Sequence, residues 1–274
     1  MNLITVDRDL CKRDGICAAE CPMAIIKIKE PEAFPSLAPH GEALCINCGH
    51  CVTVCPHGAL RLKTMTPEDC DSVRNKLLPS AEQIEHFLKS RRSIRAYSQK
   101  PVPREILVRL LNTARYAPSA HNDQTVHWIV IEDRKELKNF TAMVIDWMRF
   151  LLKAMPEMET AALMAEFVKS WEQGEDPILR EAPHLIVGHV NPSTLMPLEN
   201  CSIALTYLEL AAFSMGLGAC WAGAFQLAAM SHPPITEALK LPEGHKSYGA
   251  MMIGYPKYKF PRIPLRNDLR IVWR

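Results

Sequence analysis

The spacing of apolar residues changes along this chain, and the changes mark out its parts. Over Ala24–Lys29 and Ala59–Lys63 apolar and charged residues alternate, which predicts short strands in a small hairpin-built domain. Residues 65–80 read as a connection in which Thr66-Pro67-Glu68-Asp69 starts a helical turn, with proline first and acids in the first turn. Beyond it the period becomes helical. Ser80 and Gln83 form a capping box ahead of Ile84, Phe87 and Leu88 on one face, and Pro103–Tyr116 repeats the period with Ile106, Leu107, Leu110 and Leu111.

Trp128–Ile131 and Leu185–Gly188 are compact apolar runs and predict buried strands. Between them Met143, Trp147, Phe150, Leu151, Ala154, Met155 and Met158 keep helical spacing, broken at Pro156. Core or dimer packing is the plain reading of this stripe, and a mobile lid over a substrate pocket is the sharper one. A long helix is expected from about Leu198 to Met215, stopped by Gly216. Strands separated by long helices predict an α+β or α/β second domain. The expected division is residues 1–64, a linker over 65–80, and a larger domain over 81–274.

Leu210–Thr236 holds no Asp, Glu, Lys or Arg and is long enough to span a bilayer, but Gly216, Gly218, Gly223, Gln226 and Pro233-Pro234 interrupt it. A buried helix followed by a buried glycine-rich loop fits better. Met1–Leu10 has no apolar core of signal-peptide length. Lys plus Arg at 32 against Asp plus Glu at 30 gives no reason to expect nucleic acid or an anionic membrane as partner.

Cysteine spacing brings in the first chemistry. One segment reads Cys45-x2-Cys48-x2-Cys51-x3-Cys55-Pro56; another reads Cys11-x5-Cys17-x3-Cys21-Pro22. Shifted by 34 residues they superimpose, with Gly15 on Gly49 and Ile26 and Ile28 on Leu60 and Leu62. Asp14 falls where Cys48 stands. Gaps of two residues let a loop wrap an iron–sulfur cube, and the cysteine before proline ligates the other cluster. One cluster would take Cys11, Asp14, Cys17 and Cys55, the other Cys45, Cys48, Cys51 and Cys21. Zinc knuckles are the alternative, although zinc favours two pairs separated by a finger. The carboxylate of Asp14, a harder ligand than thiolate, would hold iron less firmly and favour a [3Fe-4S] form; the alternative is that it only hydrogen-bonds beside such a cluster. Of 10 cysteines, Cys70, Cys201 and Cys220 are left over and expected as unpaired, mostly buried thiols in a reducing cytoplasm. Residues 1–64 resemble a bacterial dicluster ferredoxin, including its variant with aspartate at this position, which implies two [4Fe-4S] clusters.

A second set of motifs lies downstream. Arg91-Arg92-Ser93-Ile94-Arg95 gathers three cations and a hydroxyl, a grouping that suits phosphate but is also an ordinary solvated basic turn. It is followed by Pro118-Ser119-Ala120-His121-Asn122, by Gly216–Phe225, and by Ile253-Gly254-Tyr255-Pro256 with Pro261-Arg262. In this order the blocks resemble the nitroreductase family of FMN flavoproteins over about residues 84–274. The resemblance implies an α+β fold and an intertwined homodimer with FMN at its interface. Arg91, Arg92, Ser93 and Arg95 would grip the ribityl phosphate and flavin edge. Pro118, Ser119, Ala120 and Asn122 would come from the partner subunit, backbone at Gly223 and Ala224 would face flavin N5, and Arg262 would complete the phosphate grip. Ala120, Thr125-Val126 and Phe260 depart from the family pattern.

The expectation that follows is an FMN-dependent, nitroreductase-like oxidoreductase. Electrons from an external donor, reduced ferredoxin or NAD(P)H, would reach FMN and then an electron-poor small molecule such as a nitroaromatic or quinone. No side chain need be an acid, base or nucleophile. Alternatives are an electron-transfer module serving a partner protein, an NAD(P)H-fed flavin reductase, and another flavin chemistry such as reductive dehalogenation. Gly216-x-Gly218 lacks the third glycine of a dinucleotide fingerprint.

Overall fold

The alternating segments near the N-terminus pair as narrow ribbons. β1 (Ile4–Val6) runs antiparallel to β4 (Leu60–Leu62) with Ile4 opposite Leu62, and β2 (Ile26–Lys27) pairs with β3 (Ser36–Leu37). Three single-turn helices fill the intervals: α1 (Ile16–Ala19), α2 (Gly41–Leu44) and α3 (His50–Thr53). The 34-residue sequence repeat is also a backbone repeat. Gly15 before α1 has φ 75° and Gly49 before α3 has φ 74°, a left-handed turn that glycine adopts without strain. Ile25, Ile26, Val52, Leu60 and Leu62 close the core of this part around Cys17 and Cys51. Thr66–Asp69 forms a capped 3-10 turn, shorter than the helix its proline and acids suggest.

The computed structural model describes residues 2–30 and 33–274. It divides into a first unit, Met1–Pro79 with His121–Asp123, and a second, Ser80–Ala120 with Gln124–Arg274. The second unit is built on a four-stranded antiparallel sheet in the order β5 (His127–Ile131), β6 (His184–Val190), β8 (Lys246–Gly254), β7 (Gly218–Trp221). The helices are α4 (Ala81–Ser90), α5 (Arg104–Ala114), α6 (Arg134–Ala154), α7 (Ala161–Glu172), α8 (Pro197–Ser214), α9 (Gly223–Ser231) and α10 (Pro233–Ala238).

Side chains alternate across a strand, so each face of the sheet builds its own core. Ile131, Leu185, Val187, Ala250 and Met252 pack with Phe140, Val144 and Ile145 of α6 and Phe225 of α9. Ile186, Met251, Ile253 and Ala219 pack on the other face with Leu107 and Leu110 of α5 and Leu205 and Leu208 of α8. With helices on both sides, every residue of β6 is buried.

Two expectations need correction. Leu210–Thr236 does not end as a glycine-rich loop: after α8 it supplies β7, α9 and the start of α10. Short sequence runs of Gly, Ala and Cys have no strand signature, and only pairing with β8 makes β7 a strand. Trp128–Ile131 is a strand, but only Ile131 of it is buried. In the helical stripe, Trp147 and Met148 are buried whereas Phe150 and Met155 are exposed. Among the described residues no helix is long and apolar enough to cross a membrane.

His184 in β6 is buried and its Nε2 accepts the Val102 N–H at 2.9 Å. Burial lowers its pKa below the ordinary histidine value. The native side chain therefore stays neutral where an unfolded one binds a proton. Its contribution to stability is present above about pH 6.5 and is lost as pH falls below that. His184→Gln keeps an acceptor and does not titrate. Urea unfolding of the variant between pH 7 and 5 is expected to show a shallower loss of stability than the parent; equal slopes would refute the assignment.

Candidate functional site

The first unit gathers the cysteines into two groups. Cys17 is buried, and its thiol is pushed up by burial and then by the charges of Cys11, Cys55 and Asp14. Cys51 is likewise pushed up, to about 11, by burial and by Cys48, Cys21 and Cys45. The neighbours that each buried thiol feels are thus the same three residues that the sequence assigns to its cluster. Cys21 and Cys55, each ahead of a proline, stand with the opposite loop. None of the ten cysteines is disulfide-bonded. Among the described residues no three Cys, His, Asp or Glu side chains close on a single ion; a cube spreads its ligands over four irons and asks for wider spacing. Ala59 N–H points to Cys55 Sγ at 3.4 Å, and Asp14 Oδ1 accepts the Ile16 N–H at 3.3 Å. Cys201 and Cys220 are buried and Cys70 is half-buried.

In the second unit the basic segment is held along the free edge of β7. Ile94 N–H donates to Ala219 O at 2.9 Å, Ser98 N–H to Tyr255 O at 2.8 Å and Lys257 N–H to Ala96 O at 2.9 Å. Gly218 makes this approach feasible: a Cβ there would stand 2.6 Å from Ile94 Cγ1 and 2.7 Å from Ile94 Cβ. Tyr97, buried behind the segment, donates its hydroxyl to Ile94 O at 2.6 Å.

The four predicted side chains of this segment then meet different fates. Arg91 pairs with Glu209 of α8 at 2.7 Å. Glu209 is 8% exposed, and burial raises its pKa against the lowering influence of Arg91. Arg92 turns back and donates to Lys89 O and Ser90 O, so it caps the carboxyl end of α4. Ser93 bridges Ala219 in parallel register, and Arg95 is exposed. A cavity of about 350 Å³ is lined by Arg91, Arg92, Glu209, Tyr258, Lys259 and Phe260, among others.

Gly223 and Ala224 open α9 directly after β7, where the first amides of a helix lack intrahelical partners. Space lies open beside Gly223, with nothing within 4 Å of a built Cβ. Ser119 Oγ accepts the Gln124 N–H and Ala120 N–H donates to Asn200 Oδ1 at 2.9 Å, while Pro118 is exposed. Asn122 groups with the first unit, its amide donating to Asn47 O at 3.1 Å. His121, Asn122 and Gln124 all take left-handed backbone, with φ of 51°, 56° and 49°. Arg262 lies in the exposed, irregular chain after β8.

Glu209 and Tyr97 were missed by sequence reasoning, whereas Lys259 was noted beside Phe260. Glu209 left a signal, an acid between Leu208 and Leu210 on the buried side of α8. Tyr97 left none, because an aromatic residue three positions after Ile94 is unremarkable until the segment bends.

A two-faced antiparallel α+β sheet with a basic segment on its edge and, in the same chain, a unit of paired cysteine loops make a fusion of two redox architectures. Residues 88–255 match the nitroreductase family model, and residues 9–60 match the model of a 4Fe-4S dicluster domain. The chain belongs to the nitroreductase family. A protein of Archaeoglobus fulgidus named for NADH dehydrogenase and NAD(P)H nitroreductase activity is 29% identical over 176 residues, 64% of this chain and 87% of the relative. The NAD(P)H-dependent FMN reductase of Bacillus subtilis is 28% identical over 65% of this chain and 68% of its own length. A nitroreductase of Bacteroides fragilis crystallised with bound FMN shares the fold, with a TM-score of 0.56, 23% identity, and coverage of 70% of this chain and 99% of that one.

Two substitutions test how the edge segment is held. Gly218→Ala forces Ile94 aside and is expected to cost about 1–3 kcal/mol. Tyr97→Phe leaves the buried Ile94 carbonyl short of its donor and is expected to cost about 1–3 kcal/mol. Denaturant titration reads both; unchanged midpoints would show that the segment is held by other contacts.

Proposed function

We propose that this protein is an FMN-dependent reductase fed by its own iron–sulfur unit. Electrons from an external donor enter two clusters, reach FMN, and leave to an electron-poor small molecule such as a nitroaromatic or quinone. The observation that carries the reading is the sorting of eight predicted ligands into two sets of four on a chain of the nitroreductase family. Cys11, Asp14, Cys17 and Cys55 hold one cluster, and Cys45, Cys48, Cys51 and Cys21 the other. Both are [4Fe-4S] in type, with the Asp14 site prone to the [3Fe-4S] form because a carboxylate binds soft iron less firmly.

The second unit offers a fit for FMN. Arg91, Ser93 and Arg95, with Arg262, supply cations and a hydroxyl for its phosphate and ring edge, while Arg92 stabilises the helix end from which they project. Unpartnered amides at Gly223 and Ala224 suit a hydrogen-bond acceptor on the ring, and the bare Gly223 gives it room. Pro118, Ser119, Ala120 and Asn122 are assigned to the same site in a homodimer. That assembly is supported by exposed apolar residues Ile203 and Tyr207 on α8 and Leu227 and Met230 on α9. FMN supplies the exchange between one-electron and two-electron chemistry. The chain orients it and stabilises charge through Arg95, and it contributes no acid, base or nucleophile. The named activities of the relatives make NAD(P)H the rival donor to reduced ferredoxin.

Anaerobically purified protein is expected to contain FMN together with iron and sulfide for two clusters per chain; zinc in their place would end the reading. Asp14→Cys should retain iron through mild air exposure that strips the parent. Arg91→Ala is expected to weaken FMN binding by more than about tenfold while changing riboflavin affinity little, since only FMN carries the phosphate. In stopped-flow reduction, reduced ferredoxin should reduce the parent rapidly and a cluster-free variant slowly. Equal rates would assign the donor role to direct transfer instead.

A further inference from the structure

Three histidines from neighbouring strands meet at one end of the larger sheet, and nothing in the reductase reading uses them. His127 opens β5, His189 lies directly opposite it on β6, and His245 stands immediately before β8. The ring centroids are 5.0 Å apart for His127 and His245, 5.1 Å for His189 and His245, and 5.5 Å for His127 and His189. Nδ1 of His189 lies 3.0 Å from Nδ1 of His245. The register of β6 against β8 breaks between Gly188 and His189, a local irregularity of the kind that re-aims a side chain.

A hydrogen bond between two neutral rings accounts for only one of these contacts. It leaves the third ring, His127, unaccounted for, 5.0 Å from one of the other rings and 5.5 Å from the other. A shared ion accounts for all three. Imidazole nitrogens about 2.0–2.1 Å from one tetrahedral cation stand about 3.3 Å apart, with ring centroids about 5 Å apart. The observed spacings fall around these values. Two nitrogens are already near that separation. Among the described residues no three donors close on one ion as they stand, and His127 is the ring that has to turn. It is exposed at the start of its strand and free to do so, whereas His189 is 3% exposed and fixed.

We propose that His127, His189 and His245 form a three-imidazole site for a divalent cation of the zinc type, with its fourth position open to solvent. Three neutral nitrogens and no thiolate suit zinc, and nickel or copper less selectively. The site is made of this unit's own strands and stands or falls independently of the flavin.

The test uses anaerobic holoprotein with its clusters intact, titrated with zinc ion by calorimetry while iron release is followed. One zinc per chain is expected to bind with no loss of iron. His127→Gln and His245→Gln are each expected to weaken it by more than about tenfold, since each removes one of three protein ligands. Cobalt substitution should give the visible spectrum of a tetrahedral nitrogen site in the parent only. The His127 side chain is exposed, so its replacement leaves folding intact; an unchanged unfolding temperature confirms this. Absence of saturable binding, zinc uptake that tracks iron release, or affinity in both variants equal to the parent's would overturn the proposal.

Discussion

The arrangement of the second unit depends on how closely residues 93–98 can approach the edge of β7. Individual backbone hydrogen bonds contribute only about 0.5–1.5 kcal/mol net, so those from Ile94 and Ser98 do not by themselves fix a loop. Exclusion of volume does. With Ile94 seated where Gly218 has no side chain and Tyr97 anchored behind it, the segment has one way to lie. Its position in turn sets where Arg91, Ser93 and Arg95 project. Because β7 runs straight into α9, the same edge also places Gly223 and Ala224. One close approach thus fixes the basic segment and the open helix start together.

The first unit is constrained differently. Its apolar core is thin, a handful of Ile, Val and Leu side chains interleaved with two cysteines. Small units of this kind draw stability from metal or cross-links because apolar burial alone is insufficient. Cys21 and Cys55 each stand with the opposite loop, so these cysteines link the two halves of the repeat. On the proposed ligand assignment, cluster binding and folding are coupled. Burial of Cys17 and Cys51 raises their thiol pKa values in the absence of iron. On the proposed ligand assignment the cluster charge offsets the cost of ionising them, and both positions are sensitive to cluster loss.

What was legible in the sequence followed from periodicity and from fixed spacings. The capping box at Ser80 and the helix stop at Gly216 are local features, each with a residue signature, and the grouping of Cys21 and Cys55 with the opposite loops follows the cysteine spacing. β7 was not legible because Gly218-Ala219-Cys220-Trp221 becomes a strand only through its partner β8. Trp128 is half-buried rather than buried, and Phe150 of the helical stripe is exposed, because an apolar residue records what it can pack against, not whether a neighbour is present in the same chain. Glu209 lay in plain view, but its partner is 118 residues away, and no spacing rule connects it to Arg91.

That pair sets the electrostatic character of the second unit's cavity. A basic cluster alone would repel itself and splay into solvent. A buried carboxylate beneath it holds Arg91 in one direction, and Arg91 in return partly offsets the burial that raises the carboxylate's pKa. Breaking such a pair leaves a buried charge uncompensated, so neither member is replaced without loss. Arg92 is already committed to the end of α4, so on the proposed reading Arg91, oriented by Glu209, answers an incoming anion together with Arg95. The cavity is therefore less positive than a count of its arginines suggests and better ordered. Order, rather than excess charge, is what lets a fork-shaped cation select a phosphate by geometry.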